Sequence, residues 1–158
     1  MLVRRPATAA DEPFLRELYL TTRHDLADWD EEAREMFVDL QLRARQREWE
    51  VAYPGSTDQV LMVDGVPVGR LWTAFVPGAC VVVDLALLPA YRRRGLGTQA
   101  LGEVLAGADQ RGVPVRVTVE RTNAPVRALN ARLGFVETGG DEIHLTMERP
   151  VPGRSASG

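Results

Sequence analysis

The sequence predicts an α/β domain built around one mixed sheet, and three observations carry that prediction. Apolar residues recur at helical spacing in some segments and run in strand-like blocks in others. The two kinds of segment follow the order β, two helices, three strands, helix, strand, helix, two strands, and Gly, Pro and Asp turn signals separate them. The 158 residues are 45% hydrophobic, which suits a single domain with a sizeable core over residues 1–149. The stretch from Pro150 to Gly158, rich in Pro, Gly and Ser, reads as a disordered tail.

Leu2–Arg5 is the opening strand. Thr8 offers an N-cap, and Phe14, Leu15, Leu18 and Tyr19 follow at helical spacing. A second helix is predicted from Glu31 to about Glu50, with Met36, Phe37, Leu40 and Ala44 on its apolar face. Gln59–Val63 and Val66–Phe75 form a hairpin through Asp64-Gly65, because both residues tolerate the positive φ of a type I′ turn. Ala79–Leu88 is nearly continuous apolar sequence broken by Asp84, the pattern of a strand buried on both faces. Gly97 to about Arg111 is a helix closed by Gly112, and Val113–Val119 is a strand. Val126, Leu129 and Leu133 mark a short helix with Pro125 in its first turn; Phe135–Glu137 and Ile143–Met147 close the sheet.

Composition excludes several classes of function. No apolar run reaches the roughly 20 residues of a membrane span, and the polar N-terminus lacks a secretory signal, so a soluble cytoplasmic protein is expected. A lone Cys80 excludes a disulfide framework, and His24 and His144 lie too far apart to suggest a metal centre. Net charge is −3, which argues against general nucleic-acid binding. All 19 basic residues are arginine, so lysine chemistry is impossible. Acid collects between Asp25 and Glu50, with nine carboxylates against four arginines, whereas Arg92-Arg93-Arg94 is a basic knot.

That knot sits where a buried strand turns into a helix, in Tyr91-Arg92-Arg93-Arg94-Gly95-Leu96-Gly97-Thr98. The first N–H groups of a helix lack internal partners and its dipole end is positive. Gly95 and Gly97 let backbone approach an anion, and arginines add forked donors for phosphate oxygens. The loop lacks the Gly-Lys-Ser/Thr of a Walker site and the third glycine of the dinucleotide fingerprint. A solvated basic turn is the alternative.

Arg92-x-x-Gly95-x-Gly97 resembles the pyrophosphate loop of the GNAT acyltransferases, and Leu87-Leu88-Pro89-Ala90-Tyr91-Arg92 resembles its lead-in with Leu87 for Val. Asn123-x-x-Val126-x-x-Leu129-Asn130-x-x-x-Gly134-Phe135 resembles the second signature of that family. The resemblance spans Leu2 to Met147. It implies a mostly antiparallel twisted sheet whose fourth and fifth strands run parallel and splay apart around acetyl-CoA. It further implies that backbone at Leu85 and Leu87 binds pantetheine and that Arg92, Arg93, Arg94, Gly95, Leu96, Gly97 and Thr98 hold the pyrophosphate. Asn123 and Asn130 would flank the cofactor, and a backbone N–H near Leu87 would serve the oxyanion. Attack of an amine on the thioester is direct in that family. The expected partners are acetyl-CoA and an amine acceptor, with no nucleic acid, membrane or metal; a homodimer is compatible with this reading.

Asn130 stands where the family often has the tyrosine that protonates the departing thiolate, and an amide cannot replace a phenol as an acid. Asp84 and Glu120 are candidate bases, each with a structural alternative: a paired strand carboxylate for Asp84, a solvated strand end for Glu120. His144 would border the acceptor pocket. Asp25 and Trp29, between the first two helices, would suit a cationic amine, or else Trp29 covers the core edge while Asp30 caps the next helix. Cys80, in an apolar run, reads as a small core hydrophobe. The rival functions are a non-catalytic acyl-CoA sensor, an acetyltransferase of protein N-termini or lysines, and a phosphate-ligand domain unrelated to coenzyme A.

Overall fold

The computed structural model describes residues 1–153; positions 154–158 of the expected tail lie outside the described residues. Eleven regular elements follow one another: β1 (Leu2–Pro6), α1 (Glu12–Leu20), α2 (Glu31–Ala52), β2 (Thr57–Val63), β3 (Val66–Val76), β4 (Ala79–Leu87), α3 (Leu96–Gln110), β5 (Val115–Glu120), α4 (Ala124–Arg132), β6 (Val136–Gly140) and β7 (His144–Arg149). The strands form one seven-stranded sheet in the order β1-β2-β3-β4-β5-β7-β6, antiparallel except for the parallel pair β4–β5. The predicted fold class and element order therefore hold, with boundaries displaced by a few residues.

Local chemistry explains the joints. Asp11 accepts from the Thr8 backbone N–H at 2.8 Å and pairs with Arg5 at 2.9 and 2.7 Å. The Arg5 guanidinium is the largest of several influences that hold the Asp11 carboxyl down at about 2. Asp64 (φ 50°) and Gly65 (φ 78°) both take the left-handed backbone of the predicted hairpin turn. Gly69 packs where β3 meets β4, and a Cβ there would lie 2.4 Å from the Ala86 carbonyl oxygen.

One sheet face carries the main core. Val82, Val115, Val117, Leu145 and Met147 pack with Ala100, Leu101, Val104, Leu105 and Ala108 of α3. Cys80 lies in this core, 1% exposed, and burial pushes its thiol up, which keeps it inert.

Two expectations need correction. The face Met36–Leu40–Ala44 of α2 is exposed: Met36 and Leu40 are 63% and 65% accessible. The helix instead turns Val38, Leu42, Arg45 and Trp49 inward, since the long stems of arginine bury well while their heads stay paired. β4 is not buried on both faces along its length; from Leu85 to Leu87 it is only half-buried, because β5 diverges from it.

Candidate active site

The divergence sits at the middle of the sheet. Cys80, Val81 and Val82 pair with Val115, Arg116 and Val117, and beyond them the two strands no longer pair with each other, although β4 continues to Leu87 and β5 to Glu120. On its other edge β4 stays paired with β3 through Leu87. The Leu88 N–H donates to the Val68 carbonyl at 2.8 Å. Strand alternation therefore turns the Leu87 and Leu85 N–H groups to the open edge, into the gap.

A bulge in β4 sets which side chain faces which way. Thr73 pairs with Val82 and Trp72 with Asp84, so Val83 is the extra residue. Without it, alternation from Val82 would drive Asp84 into the apolar core under α3. The bulge turns Asp84 to the opposite face, in one row with Trp72 and Asp58.

On that face charges and rings interleave. Arg70 pairs with Asp58 at 2.9 and 2.8 Å, and Arg45 reaches Asp84 at 3.5 Å. Arg45 stacks over Trp49 at 4.3 Å and Arg70 over Trp72 at 4.8 Å, while Trp49 meets Trp72 edge-on at 5.2 Å. Burial pushes the Asp84 carboxyl above its ordinary value, Arg45 and then Arg70 pull it back, Asp58 adds to the rise, and the Leu85 N–H lowers it. Arg45, Arg70, Asp58, Trp49 and Trp72 escaped the sequence reading. The Arg45–Trp49 spacing, one helical turn on the inward face of α2, was the available signal.

The loop after β4 leads into α3. Gly95 caps α3 in the left-handed region (φ 77°) with no side-chain cap, and no acidic residue lies in the first turn. The N–H groups of Leu96, Gly97 and Thr98 begin the helix, where the positive dipole end is exposed to an anion. Arg93 takes a positive φ of 62°, and Arg94 stacks on Tyr91 at 5.3 Å. Arg92 turns back instead: its Nε donates to the Leu87 carbonyl at 2.9 Å and its Nη2 to Thr21 Oγ1 at 3.3 Å. It ties the ends of β4 and α1 together. Gly97 is open apart from Leu87 Cδ1, 3.7 Å from where a Cβ would stand.

The remaining predicted residues are spread around this centre. Glu120 and His144 oppose each other at the end of the β5–β7 ladder and share the sheet face of Asp84, because Leu145, Met147, Val117 and Val119 take the other face. The His144 N–H donates to Asp141 at 2.6 Å. Asn123 caps α4, accepting from the Val126 N–H at 3.4 Å. Asn130 is 3% exposed, and its amide donates to Met147 Sδ at 3.8 Å on the apolar face. Asp25 is paired by Arg23 at 3.0 and 2.9 Å, and Trp29, 43% exposed, packs on Phe37 at 5.0 Å. Asp30 caps α2 by accepting from the Ala33 N–H at 3.2 Å.

Residues 16–135 match the model of the acetyltransferase (GNAT) family. The chain belongs to the GNAT family. Solved GNAT structures share its fold. The PaiA N-acetyltransferase of Thermoplasma acidophilum, in complex with coenzyme A, is 18% identical with a TM-score of 0.70, over 95% of this chain and 99% of that one. An acetyltransferase of Thermus thermophilus is 25% identical with a TM-score of 0.70, over 95% and 97%. A ribosomal-protein-alanine N-acetyltransferase of Brucella melitensis is 26% identical with a TM-score of 0.61, over 94% and 99%. No curated protein matches the chain. Among the described residues no helix is long and apolar enough to cross a membrane, and no cluster of His, Cys, Asp and Glu could hold a metal ion.

The residues of this GNAT chain suit an acyl-CoA. The uncapped α3 terminus beside exposed Arg93 and Arg94 has the donor chemistry of a pyrophosphate cradle, and the β4–β5 gap presents backbone N–H groups to an amide-bearing arm.

Proposed function

We propose that the protein is an acetyl-CoA-dependent N-acetyltransferase acting on a primary amine of a small molecule or peptide. The observation that supports this reading best is the β4 bulge, which turns Asp84, a carboxylate with a raised pKa, away from the apolar core just beyond the last β4–β5 pair. Acetyl-CoA supplies the activated thioester carbonyl. The backbone N–H groups of Leu85 and Leu87 bind the arm in the gap, and those of Leu96, Gly97 and Thr98, with Arg93 and Arg94, hold the pyrophosphate. Arg92 braces the loop by fastening the Leu87 carbonyl.

Asp84 is the general base. It takes a proton from the acceptor ammonium, directly or through one water, which frees the nitrogen lone pair to form the C–N bond; as the C–S bond breaks, the nitrogen gives up its second proton to solvent. The Leu87 N–H, aimed into the gap, is placed to stabilise the carbonyl oxygen as it gains charge. Glu120 and His144 border the acceptor side across the gap. Asn130 has no acidic proton to give at neutral pH, so solvent protonates the leaving thiolate. A second reading, transfer to a protein N-terminus, is favoured by the likeness to the ribosomal-protein-alanine enzyme.

Calorimetric titration with acetyl-CoA, using ATP and dephospho-CoA as controls, tests the cofactor. Preference for acetyl-CoA supports the reading, and equal affinity for ATP would replace it with a general phosphate site. A panel of small amines and N-terminal peptides, followed by thiol release, then separates the acceptors; binding with no turnover on any of them would make the domain an acyl-CoA sensor.

A further inference from the structure

Two carboxylate–arginine pairs lie side by side on the acceptor face, and they are built differently. Arg70 grips Asp58 through two hydrogen bonds, and its side chain is 7% exposed. Arg45 comes within 3.5 Å of Asp84, with none of the short paired hydrogen bonds of the first pair, and is 39% exposed. Its guanidinium rests on Trp49 at 4.3 Å, with Tyr19 at 5.7 Å, so the aromatic rings as well as the carboxylate fix its position. The first pair is closed and structural. The second is looser and more exposed, and it occupies the carboxylate that an incoming amine must reach.

We propose that Arg45 is a positioning residue, a placeholder cation on Asp84 that the acceptor's ammonium displaces. This rests on the assignment of Asp84 as base. Arginine stays charged at any working pH, so Arg45 cannot take the substrate's proton itself. Stacked on Trp49, it favours the ionised form of the carboxylate against the pull of burial, and it has an aromatic shelf on which to remain when an ammonium arrives. The consequence is a preference for acceptors whose reacting end is cationic before transfer. The charged groups that act on Asp84 are Arg45 from α2, Arg70 from β3 and Asp58 from β2, while Glu120 and His144 stand on the same sheet face at the end of the β5–β7 ladder.

The test is the pH dependence of kcat/KM for an accepted amine in the parent, Arg45→Met and Arg45→Lys, with acetyl-CoA affinity and melting temperature measured alongside. Methionine keeps an apolar stem on Trp49 and removes the charge; lysine keeps the charge. In Arg45→Met the acid limb moves to higher pH by about one unit, since an opposite charge beside the carboxylate is lost. At high pH its KM for the amine falls about two- to five-fold, the worth of a partly exposed ion pair, while acetyl-CoA affinity stays unchanged. Arg45→Lys keeps the acid limb of the parent. An acid limb and KM unmoved in Arg45→Met, or an equal shift in Arg45→Lys, would overturn the proposal. Should Arg45→Met melt early, Arg45→Gln gives the same comparison. Asp84→Asn separates the two claims: if it keeps the parent rate and acid limb, the base assignment fails, whatever Arg45 does.

Discussion

The two faces of the central sheet solve opposite problems with the same strands. Under α3, β4 and β5 present Val82, Val115 and Val117 to an apolar core, where each side chain gains by leaving water. On the other face the same strands and their neighbours carry Asp84, Arg116, Arg70 and Asp58, with Glu148 opposite Arg116 at 3.0 Å. There a charge survives burial only beside its partner. The apolar face holds the sheet together, and the charged face holds the Asp84 carboxyl above its ordinary proton affinity. The strand gap joins the two, and the bulge at Val83 decides to which face Asp84 belongs.

The largest effect comes from breaking the charged face at its centre. Asp84→Asn is expected to lower kcat/KM by about 10²- to 10⁴-fold, the usual contribution of a general base. Stability should move the other way. The folded protein holds the Asp84 carboxyl above its ordinary value, so this group favours the fold below that ordinary value and the advantage is lost as pH rises through the raised one. At pH 8 the amide removes an ionisation that burial penalises, and the melting temperature should hold or rise. A fall in melting temperature with normal turnover would make Asp84 a structural carboxylate.

A smaller effect tests what keeps β4 in register beside the gap. Gly69→Ala places a methyl 2.4 Å from the Ala86 carbonyl and 2.8 Å from Leu87 Cδ2. The backbone must move to admit it, at a cost of about 1–3 kcal/mol. Chemical denaturation measures that cost. Acetyl-CoA affinity in the folded fraction should fall with it, since Leu87 borders the gap; the expected stability cost with unchanged affinity would detach Leu87 from the cofactor.

How far each region could be read from sequence follows from the range of the contacts that build it. The loop from Arg92 to Thr98 is local: glycines and arginines at fixed offsets after a strand were enough to suggest an anion site before any fold was known. The hairpin at Asp64-Gly65 was legible for the same reason. The charged face was not. Asp84 stood out as a lone charge in an apolar run, but its orientation depends on pairing Trp72 with Asp84 and Thr73 with Val82, a register no local pattern reveals. Its counter-ion comes from α2, far earlier in the chain, on a helix whose exposed Met36 and Leu40 made the wrong face look like the core side. Arg45 carries no apolar signal in sequence, because only its stem and its contact with Trp49 put it on the inward face.

The smallest effect tests the local region. Gly97→Val adds a side chain at the start of α3 whose Cβ meets only Leu87 Cδ1 within 4 Å outside its own helix, so the expected stability cost is the modest one of a β-branched residue in a helix. The same methyls stand where an anion would approach the Gly97 N–H. Acetyl-CoA affinity should therefore drop about tenfold, or roughly 1.4 kcal/mol, while the melting temperature without ligand shifts little. Dephospho-CoA should lose affinity in proportion, because it keeps the pyrophosphate; it lacks the 3′-phosphate and, at the far end of the molecule, the acetyl group. An equal drop for both ligands assigns Gly97 to the pyrophosphate, and a drop for acetyl-CoA alone moves it to the 3′-phosphate. Unchanged affinity for both would leave the α3 terminus without a ligand and the cofactor held by the strand gap.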